Sequence, residues 1–308
     1  MNAVTVLLAY AVALSWFAPA LLTASASAGA HPRLAVAGWI AAVGSALSAW
    51  AGAVVILVVG AVHAVVTRSA LTFCVETLGL TSAVHLASAT ATALVVVLLI
   101  ATSAVALYTV RRVVLALIRG RRRNIEHAEA VSIVGRPTEH PGVVEISARQ
   151  PTAYCVSGGG RSVIVMTTAV RDLLDEDGMA AVLAHERAHL RGRHHHVIAV
   201  LNALAAALPR LPLMRRAARE VAALLEMCAD DAASREHGRT HLLNSLALLS
   251  TGDRLPEGAL AAAGTAVLDR LLRLAQPPAT SWWRPHVAVF AVMAACGVPI
   301  AALSLCVY

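Results

Sequence analysis

The sequence predicts a mainly α-helical membrane protein. About four transmembrane helices are expected, with a mixed α+β polar block inserted between the third and the fourth. Composition is the first reason: of 308 residues, 58% are hydrophobic and only 14% charged, with a mean hydropathy of +0.70. That lies well to the apolar side of soluble globular chains. The second reason is four apolar runs, at residues 4–22, 34–66, 84–110 and 287–307. Each is long enough to cross a hydrocarbon layer of about 30 Å. The third is the stretch between the last two runs, where nearly all the charge is concentrated.

These runs divide the chain into a membrane domain at 1–110, a polar block at 111–284 and a fourth membrane helix at 285–308. The first run resembles a signal peptide, with Ala24-Ser25-Ala26 as a cleavage-like site, but no basic residue precedes it. It is therefore expected to stay as an anchor. The second run exceeds the bilayer and must tilt or extend beyond it. Six arginines between Arg111 and Arg123 crowd the end of the third run. The positive-inside rule places that end, and the block after it, in the cytoplasm. Both termini are then expected outside a multi-pass plasma-membrane protein. The net charge of +7 comes from arginine alone, for the chain has no lysine. Because these arginines flank apolar spans, they point to a membrane surface as partner and argue against direct nucleic-acid binding.

Within the block, residues 130–134, 143–147, 153–156 and 162–166 read as short strands bounded by Gly, Pro and Ser. Ser157-Gly158-Gly159-Gly160 reads as a hairpin turn, since no Walker lysine follows it. Helices are expected at 179–191, with Asp175 or Asp177 as N-cap, and at 215–236. An apolar helix at 197–208 is too short to span a bilayer. The five cysteines (Cys74, Cys155, Cys228, Cys296 and Cys306) show no paired spacing and read as buried small hydrophobes.

The first of those helices carries the chemistry. His185-Glu186-Arg187-Ala188-His189 is an H-E-x-x-H motif. Residues i and i+4 stack on one helix face, so both imidazoles reach one metal ion while Glu186 points at its water. Zinc in a hydrolase takes three protein donors and a water. Glu226, on the next strong helix, is the candidate third ligand. Asp230 lies four residues further on the same face and suits an outer role, accepting from the free N–H of His185. His194, His195 and His196 are candidates for a donor to the substrate or transition state, His194 foremost.

These residues, with the preceding Ala180–Ala184, the following Arg193-His194 and Glu226-x-x-x-Asp230, resemble the BlaR/MecR-type integral-membrane metallopeptidases. They also resemble the related HtpX and CAAX-prenyl-protease group. The resemblance implies one Zn2+ on His185, His189 and Glu226, with Glu186 as general base. It implies a cytoplasmic gluzincin-type domain in which an edge strand, here 161–166, holds an extended substrate. Antibiotic-sensing members carry an extracellular penicillin-binding domain after the last span. No such domain is present here, so direct β-lactam sensing is not expected. The resulting expectation is a membrane-anchored zinc endopeptidase acting on a cytoplasmic or membrane-proximal protein or peptide, with a transcriptional repressor as one candidate. The alternative is a non-catalytic membrane signal transducer that keeps the fold. A transporter is disfavoured by the near absence of polar residues in the spans.

Overall fold

The computed structural model describes residues 2–26, 31–70, 72–73, 88–158, 161–251 and 267–276. Among the described residues three helices are long and apolar enough to cross a membrane: α1 (Ala3–Ala26), α2 (Pro32–Val66) and α3 (Ser88–Val134). Their outward faces are unpaired apolar side chains such as Phe17, Leu21, Val59, Ile100 and Leu107, the pattern expected where lipid is the solvent. The expected fourth span at 287–307, the arginine before it and the C-terminus all lie outside the described residues.

α3 joins the two halves. Its 47 residues make a rod of about 70 Å at 1.5 Å per residue, more than twice a bilayer's apolar thickness. The rod runs unbroken through residues 110–111, where only polarity changes. Its arginine-rich half passes over a small sheet. Residues 130–134, expected as a strand, are the last turn and a half of this helix. Their β-type composition is overridden because the helix already under way buries Val131 against Val156 and Val165.

The sheet contains β1 (Arg136–Pro137), β2 (Val143–Ile146), β3 (Ala153–Gly158) and β4 (Arg161–Thr167), in the order β1-β2-β4-β3. β2 and β4 run parallel; the other pairs are antiparallel. The period of two sorts its side chains. Tyr154, Val156, Val163 and Val165 meet α3, whereas Ala153, Cys155, Ile164 and Met166 meet the opposite layer. β4 is therefore an interior strand. The expected edge at 161–166 is corrected: among the described residues β3 holds the free edge on that side, because the β3–β4 hairpin folds outward from β2.

On the second face lie α4 (Thr168–Leu173) and α5 (Glu176–Arg191), the motif helix. Asp175 caps α5, its Oδ1 accepting from Gly178 N at 2.8 Å, which satisfies a donor the first turn leaves open. α6 (His194–Ala207), α7 (Pro212–His237), α8 (Arg239–Thr251) and a helical segment at 267–275 complete the description. α6 and the first half of α7 do not stand apart from the membrane helices. Leu201, Leu204, Leu213, Met214 and Val221 share one core with Ala18, Trp39, Val43 and Ala46 of α1 and α2. Arg112 of α3 also donates to the Ala206 carbonyl of α6 at 2.6 Å. The half that carries the His185–His189 motif is thus built directly onto the long apolar helices.

Gly135 turns the chain from α3 into β1, and a Cβ there would collide with Val144 and come within 2.7 Å of the Val131 carbonyl. Valine is stiff about its first torsion, so the clash has no easy relief. Gly135→Ala should therefore destabilise the protein by about 1–3 kcal/mol, read as a lower thermal midpoint in detergent.

Candidate metal site

α5 carries His185 and His189 one above the other, and α7 carries Glu226 opposite them. His185 Nε2 and His189 Nε2 lie 3.1 Å apart. Glu226 Oε2 is 3.4 Å from the first, and its Oε1 is 3.3 Å from the second. Donors held at 2.0–2.2 Å in a tetrahedral shell stand roughly 3.3–3.6 Å from one another. The three side chains thus bring their donor atoms to 3.1–3.4 Å, near those edge lengths, with the two Glu226 oxygens each facing one imidazole. Both histidines are buried and Glu226 half-buried. Packing between α5 and α7, with Ala181, Ala184 and Ala233 closing a further layer against α8, sets the spacing; small side chains let the rods approach.

An outer ring of groups orients the inner three. His185 Nδ1 lies 3.1 Å from Asp230 Oδ1, a close charge contact in which the ring N–H is not squarely aimed. Asp230 is only 1% exposed and is gripped by Arg270, whose Nε and Nη2 donate to its two oxygens at 2.9 and 2.7 Å. The same guanidinium reaches Glu226 Oε2 at 3.1 Å. On the neighbouring position Arg273 pairs with Asp231 at 2.8 Å. Arg270 was missed from the sequence because it lies 40 residues beyond Asp230. The available signal was Arg270 and Arg273 three apart on a helix that is apolar apart from them and Asp269, facing two consecutive aspartates.

His194 takes a different place from the one expected of a substrate contact. It is buried, with Nδ1 2.9 Å from His189 Nδ1, so it backs the ligand ring on the side away from Glu226. Two local features bring it there. Arg193 is in the left-handed region (φ 51), an uncommon conformation for a non-glycine residue that reverses the chain between α5 and α6. Gly192 has no side chain, and a Cβ would run into the His194 ring. The His195 and His196 rings lie with centroids 4.0 Å apart, tilted by 43°.

Glu186 is buried on the sheet side of α5, where Cys155 of β3 is near enough for the two groups to influence each other's titration. Cys155 is thus more than the core residue the sequence suggested. Burial pushes the Glu186 carboxyl up to about 7, with His185 opposing and Glu226 reinforcing the shift. Burial and the Glu186 charge push the Cys155 thiol up to about 12. His189 is held down to about 4 by burial and is neutral. Burial also pulls His185 down, but contacts with Asp230 and Glu226 outweigh it and hold the ring at about 9. Glu226 and Asp230 are both held down to about 2: burial works against this, but His185 and Arg270 outweigh it.

A family model described as Peptidase family M48 matches residues 118–247, a stretch that starts within α3 and ends in α8. It supports a metallopeptidase of that zinc-dependent family. No curated protein and no solved structure was found to match the chain.

Two outcomes follow from this geometry. Arg270→Ala leaves Asp230 buried without its cation, so zinc affinity should fall about 10–100-fold and stability by about 3–5 kcal/mol; zinc titration and thermal unfolding read these separately. Zinc also needs a deprotonated imidazole, and His185 keeps its proton up to about 9 in the metal-free site. Uptake at pH 7 should therefore expel about one proton, measured by calorimetry in buffers of different ionisation heat.

Proposed function

We propose that this protein is a membrane-anchored zinc endopeptidase of the BlaR/MecR or HtpX type, acting on a cytoplasmic or membrane-proximal protein. The observation that carries the reading is the donor triangle of His185, His189 and Glu226 with a buried Glu186 beside it. His185, His189 and Glu226 hold the ion. Asp230 orients His185, Arg270 holds Asp230 and Glu226 in place, and His189 donates its Nδ1–H to His194. When bound, zinc polarises a water and the scissile carbonyl.

The chain's own residues do the rest. Glu186 accepts the proton of the attacking water on a carboxylate oxygen and passes it to the departing amide nitrogen as the C–N bond breaks. A carboxyl that titrates near neutrality suits both halves of that transfer. The Cys155 thiol, protonated at working pH, lies on the sheet side of that carboxyl. Because Cys155 belongs to β3, the free edge of that strand is the natural rail for an extended substrate, pairing backbone to backbone beside the base. The polar half of α3 sits on the other sheet face and leaves the edge itself to the substrate.

Orientation with the metal site in the cytoplasm rests on the arginines of α3. A signalling role, with a repressor as substrate, is part of the proposal and rests on the resemblance. The intact base and donor set favour catalysis over a transducer that only keeps the fold.

Glu186→Gln preserves shape but removes the proton acceptor. Hydrolysis of an unstructured protein such as casein by the purified full chain should drop about 10²–10⁴-fold, with zinc content unchanged by elemental analysis. Hydrolysis at the wild-type rate would remove Glu186 from the role of base.

A further inference from the structure

On the far side of the motif helix from Glu186 lies a cavity of about 730 Å³, within the range of small-molecule sites. Ala188 lines it, and two residues along an α-helix is a 200° turn from Glu186, so the cavity is separate from the peptide-facing side. Its polar wall consists of Arg33, Arg191 and Arg235 against a single acid, Glu236. Glu236 is already engaged by Arg191 at 3.3 Å. Arg33 and Arg235 are exposed and have no carboxylate at ion-pair distance among the described residues. Apart from His194, the remaining wall is small or apolar: Val36, Val197 and Leu225 belong to the core that α6 and α7 share with the long apolar helices.

The position of Arg33 decides what such a cavity would take. It is the second residue of α2, immediately before the apolar run that crosses the membrane, and so lies at the level where headgroups begin. Surplus guanidinium charge at that level, continuous with an apolar wall leading back into the spans, matches a ligand with an anionic head and an acyl tail. Guanidinium forks pair with phosphate oxygens in a two-point geometry.

We propose that this cavity is a binding site for the phosphate headgroup of an anionic phospholipid, with Arg33 and Arg235 as its principal contacts. The site rests on the membrane-spanning reading of α1 to α3 and is independent of peptidase activity. The bound head would lie beside His194, one side chain from the metal ligand His189.

The test is native mass spectrometry of the detergent-solubilised full chain, equilibrated with phosphatidylglycerol, with phosphatidylcholine, or with inorganic phosphate alone. Retention of phosphatidylglycerol well above phosphatidylcholine, with no retained inorganic phosphate, is expected. Each basic residue near an anionic membrane contributes roughly a factor of five, so Arg33→Gln/Arg235→Gln should lose roughly twenty-five-fold in retention while keeping its zinc. Arg33→Lys/Arg235→Lys, which keeps the charge but loses the two-point fork, should retain more lipid than the glutamine variant and less than the wild type. Arg121→Gln/Arg122→Gln, which removes the same charge from α3, should have no effect. If the double glutamine variant fails to fold, Arg33→Gln alone should show roughly a fivefold loss. Equal retention of both lipids, or an equal loss from the α3 variant, would overturn the proposal. So would unaltered retention in the folded glutamine variants, or binding of inorganic phosphate in place of lipid.

Discussion

A carboxylate with almost no exposure, Asp230, governs the arrangement around it. An isolated charge at such a position would be expelled or neutralised. It persists because Arg270 closes on it with two short hydrogen bonds and His185 stands on its other side. Those same contacts do the organising. Arg270 cannot satisfy Asp230 without also reaching Glu226, and His185 cannot face Asp230 through Nδ1 without turning Nε2 toward His189 and Glu226. One buried ion pair thus turns the His185 ring and holds the Glu226 carboxylate in place. Buried pairs seldom add net stability over apolar packing; here the pair defines geometry.

The second determinant is the core shared by α1, α2, α6 and α7. In a soluble enzyme the ligand-bearing helix would be supported by its own domain. In this chain the first half of α7 packs against Trp39 and its neighbours, and the second half presents Glu226 and Asp230. Any shift of the membrane helices therefore bears on the helix that holds the third ligand. The basic cavity sits at this junction, between the headgroup end of α2 and the back of the motif helix. A lipid there would touch both structural halves.

Much of the site was legible in the sequence because it is local. The i, i+4 spacing of His185 and His189, and of Glu226 and Asp230, is a property of any α-helix and needs no tertiary knowledge. Asp175 as N-cap was legible for the same reason. The strand at 130–134 was misread because β-branched composition says nothing of a helix that began more than forty residues earlier. Arg270 escaped notice since its partners are remote in sequence. The roles of Cys155 and His194 depend on which face of a strand, and which side of an imidazole, packing presents. The edge strand was misassigned because strand order in a sheet is set by how a hairpin folds against a parallel neighbour, and chain order does not reveal it.

Run length and composition alone indicated long apolar helices, and periodicity that two imidazoles and two carboxylates would each share a helix face, because 3.6 residues per turn is fixed by backbone geometry. Folding in three dimensions decided that the two rods bring their donor atoms to 3.1–3.4 Å, that a distant guanidinium links them, and that β3 lies beside Glu186. Those outcomes arise from packing small side chains between helices and from the need to pair every buried charge, and neither is written in local spacing.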